Sequence, residues 1–363
     1  MPDKVRVGVV GTSWFAETLH LAALGSHPGA SVTAICGRNR ERAAEVATDH
    51  NIPHVFTDYR EMFASGLLDA VVVVSPDSTH YPATMAALGA GLHVMCEKPL
   101  ALSADQAREM YDTAKAAGLI TLVGFTWRWV PPFNYVHHLI QNGYVGRCHH
   151  ARFLYQHAGS FDPTYKWQLD PGQSNGILAN LGSHMIDMAR WYVGDIAGVS
   201  GHLASFVERD GPDGKRPFTS ANDSALLTVE FADGAQGTIQ VSGVAQVGER
   251  GQDFQIGLYG ADGSLEVNFD FASSRLRGVR DGDEEWQELP VPEEFLGRGD
   301  NPPLWVFDFF APFTNQSVGD RLFIDAILAG HSTEPSFYDG WKAQQVVDAA
   351  LVSHREGQWT PIP

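Results

Sequence analysis

The first 122 residues repeat one unit: a short aliphatic run, then a stretch of helical character. The runs are VRVGVVG from Val5, SVTAIC, DAVVVVS at 69 to 75, HVMCEKP at 93 to 99 and LITLVGF. Between them lie a helix to Leu24, RERAAEVATDH, a helix near Pro82 to Ala90 and one at Ala104 to Ala117. Runs such as VVVV lack polar alternation, so both faces of those strands must be covered, as in a parallel sheet with helices on either side. The pattern predicts a doubly wound α/β domain of the Rossmann kind over residues 1–123.

After Phe125 the texture becomes two-residue alternation, in HHARFLYQHA, ALLTVEF, AQGTIQVSG and DFQIGLYG, punctuated by Asp-Gly turns. This predicts a second, α+β domain over 124–363 with a large, mainly antiparallel sheet. Helices are expected near Leu178 to Tyr192 and Gly340 to Ser353, with the final helix free to pack back on the first domain. ERDGPDGKRP at 208 to 217 reads as the least ordered stretch.

The chain of 363 residues carries 25 basic and 43 acidic side chains, a formal charge of −18. Such a surface repels phosphate backbones and anionic membranes, so no nucleic-acid or membrane partner is expected. No window reaches the roughly 18 apolar residues of a membrane span, and the N-terminus shows no signal-peptide pattern, so a cytoplasmic location is expected. Cys36, Cys96 and Cys148 lack CxxC spacing and read as reduced structural thiols. No HExxH or clustered Cys/His pattern suggests a metal.

Directly after the first strand come Gly11, Thr12, Ser13, Trp14, Phe15 and Ala16, a GxGxxG/A turn with serine at the second glycine. The first glycine makes the tight turn, the second position admits a pyrophosphate, and the third lets helix pack on strand. The same residues also fit an ordinary strand-to-helix turn. The second strand should end at Gly37 and Arg38, where NAD-binding domains often carry an acid for the ribose hydroxyls. With no carboxylate there and Arg38 at hand, NADP is favoured slightly over NAD; a solvated helix start explains Arg38 equally well.

The fifth strand ends in Glu97, Lys98 and Pro99, at the edge where open α/β sheets place ligands. Lys98 therefore points near the nicotinamide crevice, or else pairs with Glu97 on the surface. Asn180, His184 and Asp187 are spaced i, i+4, i+7 and would share one helix face. Histidine is the side chain best suited to proton exchange near neutral pH, and a carboxylate can orient it. Asp187 also suits an ion pair with Arg190. Trp127, Trp129, Tyr155 and Trp167 suit a sugar face or the core.

GTSWFA at 11 to 16, SPDSTHYP at 75 to 82, AGLHVMCEKPLAL at 90 to 102 and the GxHxxD element at 182 to 187 together resemble the glucose-fructose oxidoreductase, inositol dehydrogenase and rhizopine catabolism family. FTWRWVPP, VEFADGAQGTI and YGADGSLEV extend the resemblance over essentially the whole chain. It implies that Lys98 and His184 are catalytic and that the Lys98–Pro99 peptide is cis. Ser75, Pro76, His80 and Glu97 join Gly11 to Phe15, Gly37, Arg38 and Lys98 around the cofactor, while Asn180, Asp187, Arg128 and Trp167 hold substrate. The usual pattern has aspartate at Asn180, and an amide can neither accept a proton nor supply negative charge.

The implied activity is hydride transfer between NAD(P) and a secondary alcohol or ketone of a sugar, cyclitol or polyol. Redox-assisted glycoside cleavage and a non-catalytic sugar-binding regulator are the alternatives. A homodimer or homotetramer is expected, since an antiparallel sheet with helices on one face leaves the other to a second subunit.

Overall fold

A computed structural model describes residues 4–216, 218–270, 273–296 and 310–363. Six parallel strands, β1 (Val5–Val10), β2 (Ala30–Cys36), β3 (His54–Phe56), β4 (Ala70–Val73), β5 (His93–Cys96) and β6 (Thr121–Val123), form one sheet. Their order is β3-β2-β1-β4-β5-β6, the doubly wound arrangement. Val71, Val72 and Val73 are wholly buried, which is why that run shows no polar alternation. The order reverses between β1 and β4, so the crevice at their carboxyl ends is where such a sheet takes a ligand.

The helices Arg40–Asp49 and Ala104–Ala116 follow the sequence expectation, each capped by a side chain: Asn39 accepts the Arg42 N–H and Ser103 the Gln106 N–H. The helix expected near Pro82 starts earlier, at Asp77, and runs to Gly89. Helices Tyr59–Ala64 and Asp320–Ala329 are additions to the sequence reading.

The chain divides into two compact units: residues 4–126 with 310–341, and residues 127–296 with 342–363. Residues 310–341, which follow the second sheet's main strands in sequence, thus cluster with the first unit. The reason is a set of bonds joining residues 310–341 to the first sheet's elements. Pro335 O accepts the Val123 N–H at 2.9 Å, Thr121 Oγ1 accepts the Phe337 N–H at 3.4 Å, and Asp320 and Asp325 meet His20 and His27.

The second unit is built on nine strands: β7 (Cys148–His157), β8 (Ile196–Ala204), β9 (Ser224–Phe231), β10 (Gln236–Ser242), β11 (Gln252–Gly260), β12 (Gly263–Phe269), β13 (Ser274–Arg280), β14 (Gln287–Glu288) and β15 (Thr360–Pro361). Their order is β14-β13-β12-β11-β7-β10-β9-β8-β15. The sheet is mostly antiparallel, as expected, but β7 and β10 run parallel. A parallel pair needs a crossover; residues 158–235, including the helix Ser183–Tyr192, supply it. Within the segment expected to be least ordered, Arg209 is buried, donating to Asp223 and to the carbonyls of Ser160 and Asp162.

Candidate active site

Gly11 ends β1 at φ +136°, and a Cβ there would sit 2.0 Å from Val74 O. Only glycine satisfies both conditions, so the turn brings its backbone against β4 at the topological switch. Ser13 Oγ accepts the Ala16 N–H at 3.2 Å, which leaves its O–H available as a donor. Trp14 is 67% exposed. The following segment, Ala16–Leu21, is π-helical, a geometry frequent at functional sites. Gly37 packs on Thr12, and Arg38 is exposed. This turn fits a dinucleotide: Gly11 makes the tight bend, and an exposed serine hydroxyl stands at the position that admits the pyrophosphate.

Lys98 follows β5, and the Lys98–Pro99 peptide is cis, as the family resemblance implies. Burial pushes the Lys98 ammonium below the usual lysine range, while the Glu97 and Asp77 carboxylates pull it back. Two side chains assigned to the cofactor also have partners inside the first unit. Glu97 is 6% exposed and turns its carboxylate to His20, with Oε1 3.3 Å from Nε2; it is not a surface partner. His80 is buried, and its ring nitrogens lie 2.7 Å from Pro99 O and 2.8 Å from Ser75 O. Both side chains serve the turn that carries Lys98.

Gly124, just beyond β6, makes room for that carboxylate, since a Cβ there would lie 2.1 Å from Glu97 Oε1. Gly124→Ala is therefore expected to displace Glu97 and destabilise the first unit by about 1–3 kcal/mol, the scale of overpacking. A urea titration followed by circular dichroism measures this; unchanged stability would mean the carboxylate has slack.

In the second unit a π-helical turn, Leu178–Gly182, precedes the helix Ser183–Tyr192. Asn180 therefore lies on the π-helical turn, and His184 and Asp187 on the α-helix that follows it. Asn180 lines a cavity of about 170 Å³ with His157, Lys166, Gln168, Leu169 and Ile177, smaller than the roughly 300–1,000 Å³ of drug-sized ligand sites. Trp167 is half-buried on the turn Trp167–Leu169 but does not line it. His157 Nδ1 accepts the Gly159 N–H at 2.8 Å, and burial, then Lys166, holds the ring below its usual pKa. The neutral ring thus presents Nε2–H as a donor. His157, Lys166 and Gln168 were missed in sequence because no local motif marks them.

Asp187 is bound by Arg128 in a bidentate pair, Nε to Oδ2 at 2.8 Å and Nη2 to Oδ1 at 2.6 Å, with the side chains 4% and 1% exposed. Both were expected to hold substrate. In the structure their charges are directed at each other in the interior, and Arg190 pairs with Asp195 at 2.7 Å. His184 is 6% exposed and lies edge-on to Trp127, ring centroids 6.2 Å apart. Trp127, Trp129 and Tyr155 are buried; Trp127 packs on Phe133, Phe254 and Phe269, so these rings are core. Among the described residues no helix is long and apolar enough to cross a membrane.

Residues 5–125 match the oxidoreductase family with an NAD-binding Rossmann fold, and residues 133–266 match the GFO/IDH/MocA C-terminal domain. Levoglucosan dehydrogenase of Pseudarthrobacter phenanthrenivorans is 27% identical, over 99% of each chain. D-glucoside 3-dehydrogenase of Escherichia coli is 30% identical, over 64% of this chain and 68% of its own. A solved structure of levoglucosan dehydrogenase in complex with NADH and levoglucosan superposes with a TM-score of 0.89, covering 99% of this chain and all of that one at 24% identity; that likeness shows the fold. The two domain matches, the switch-point glycine and the cis Lys98–Pro99 turn agree, and the chain belongs to the GFO/IDH/MocA family of NAD-binding oxidoreductases.

Proposed function

We propose that this enzyme interconverts a secondary alcohol and a ketone on a sugar, cyclitol or related polyol, working in the cytoplasm. The observation that carries the reading is Lys98, a partly desolvated ammonium at the carboxyl end of β5 in a dinucleotide-binding sheet. The relatives named for levoglucosan and D-glucosides support the substrate class. The turn Gly11 to Phe15, with Gly37, Arg38, Ser75 and Pro76, holds the dinucleotide, whose nicotinamide supplies or accepts the hydride. Lys98 donates to the reacting oxygen and stabilises its developing negative charge. His184 exchanges that oxygen's proton. Asn180, with His157, Lys166 and Gln168, orients neighbouring hydroxyls. The test is a spectrophotometric panel of polyols and ketosugars with NAD(H) and NADP(H). Net change in reduced-nicotinamide absorbance is expected. Product release without net change would replace the reading by redox-assisted cleavage, and binding alone by a regulator.

The preferred cofactor is NADP(H), because Arg38 is exposed beside a position that carries no carboxylate. Arg38→Ala is expected to weaken NADP(H) about tenfold, the worth of one charge-assisted hydrogen bond, and to spare NAD(H). Fluorescence titration with each cofactor measures it; equal loss of both would remove the preference. Gly37→Asp is a poorer probe, since a Cβ at 37 lies 2.6 Å from Thr12 Cγ2.

The enzyme assembles as a homo-oligomer through the open face of the nine-stranded sheet. On β9, Leu226, Thr228 and Glu230 face outward while Ala225, Leu227, Val229 and Phe231 are buried, and Leu226 is 46% exposed. Light scattering at micromolar concentration is expected to exceed the 39.6 kDa monomer; only the monomer mass would sink the idea.

A further inference from the structure

His20, on the π-helical segment directly after the dinucleotide turn, is completely buried. Its Nδ1 lies 3.0 and 3.1 Å from the two oxygens of Asp320, also fully buried, and its Nε2 lies 3.3 Å from Glu97 Oε1. Among the described residues, neither Nε2 nor Oε1 has another hydrogen-bonding partner. A neutral imidazole carries one N–H and one lone pair, so it would aim that lone pair at a carboxylate oxygen in a dry site. Only the doubly protonated ring suits both neighbours. Burial opposes the charge, but Asp320 and then Glu97 outweigh it and push the ring up to about 10. Glu97 passes the contact on, its Oε2 accepting the Lys98 N–H at 3.2 Å.

The other end of the turn is held the same way. Both ring nitrogens of His80 face carbonyl oxygens, those of Pro99 and Ser75, and two acceptors again require both protons. The residues flanking Lys98 are thus gripped by two buried histidines, one from the cofactor helix and one from the helix after β4. Two buried carboxylates and a histidine are an expensive way to fill a core, which apolar side chains of equal volume would fill as stably.

We propose that His20, bridging Asp320 and Glu97, is a positioning residue that sets the direction of Lys98, with His80 fixing the far side of the same turn. The proposal rests on the reading of Lys98 as the group that stabilises the reacting oxygen. The cofactor helix and the catalytic lysine then share one rigid connection, and a small displacement of Lys98 lowers the rate without loosening the dinucleotide.

The experiment combines NMR of the 15N-histidine-labelled wild type with kinetics of Asp320→Asn. The His20 signals, assigned by their loss in His20→Gln, are expected to remain those of a doubly protonated ring at pH 8, where an ordinary imidazole of pKa about 6.5 is neutral. With the panel compound turned over fastest, Asp320→Asn is expected to lower kcat roughly ten- to hundredfold, the scale of a misplaced reacting group. KM and the NADH dissociation constant, read by tryptophan fluorescence, should stay within about twofold. A neutral His20 ring at pH 8, or a wild-type kcat in Asp320→Asn, overturns the proposal. Lys98→Met at the wild-type rate would instead overturn the reading of Lys98. Should Asp320→Asn fail to fold, the wild-type NMR and the kcat of Gly124→Ala, which presses first on Glu97, still decide: a wild-type kcat there overturns the proposal.

Discussion

Lys98→Met is expected to lower turnover by roughly two to four powers of ten, the scale of removing a positioned electrostatic or acid-base group. Methionine keeps much of the side chain's length but deletes the charge and all three donors. Folding and adenosine-side binding should survive, because the Gly11 turn, the Glu97–His20 contact and the bonds of His80 to Pro99 and Ser75 are made by groups other than the ammonium. The loss should fall on kcat, since the lysine's interaction strengthens as negative charge grows on the substrate oxygen. Steady-state kinetics with the panel substrate, beside a cofactor titration, make the measurement. A Lys98→Met enzyme at the wild-type rate ends the proposed mechanism. His184→Ala should also slow turnover and remove one limb of the pH profile if that imidazole carries the proton. Asn180→Asp restores the acid usual in the family: higher activity on the same substrate would mark the asparagine as erosion, lower activity as part of a working site.

Arg128→Met is expected to destabilise the second unit by about 3–5 kcal/mol, because it leaves the Asp187 carboxylate in the interior with its bidentate partner gone. The pair anchors the helix that carries His184, so activity should fall along with stability. Chemical denaturation followed by circular dichroism measures the loss. Arg128→Met combined with Asp187→Leu should recover part of it, since two apolar groups carry no uncompensated charge. If Arg128→Met keeps its stability and loses only substrate affinity, the earlier assignment of Arg128 and Asp187 to substrate is right and the structural reading is wrong.

The two buried pairs show where a linear reading stops. Asn180, His184 and Asp187 have helical spacing, and from that alone one shared face follows. The segment that carries Asn180 is a π-helical turn and not the first turn of that α-helix, and nothing in local composition announces it. His80 and Glu97 sit inside family-like motifs next to the cofactor, which makes direct contact the natural inference; their burial and their partners give them to the Lys98 turn instead.

By itself the sequence determined what local windows encode. Unalternated aliphatic runs could only be covered parallel strands, two-residue alternation could only be a half-covered sheet, and the glycine after β1 and the Glu-Lys-Pro after β5 marked the ends of strands where a dinucleotide and its chemistry sit. Tertiary structure alone decided which charges meet. His20 and Asp320 lie 300 residues apart, and Arg128 and Asp187 lie 59 apart. Hydrophobic period and turn chemistry act over a few residues and leave a signature there, whereas a histidine or an aspartate is equally at home in water. Its role is set by the low dielectric and the partners that packing supplies, and packing joins distant parts of the chain.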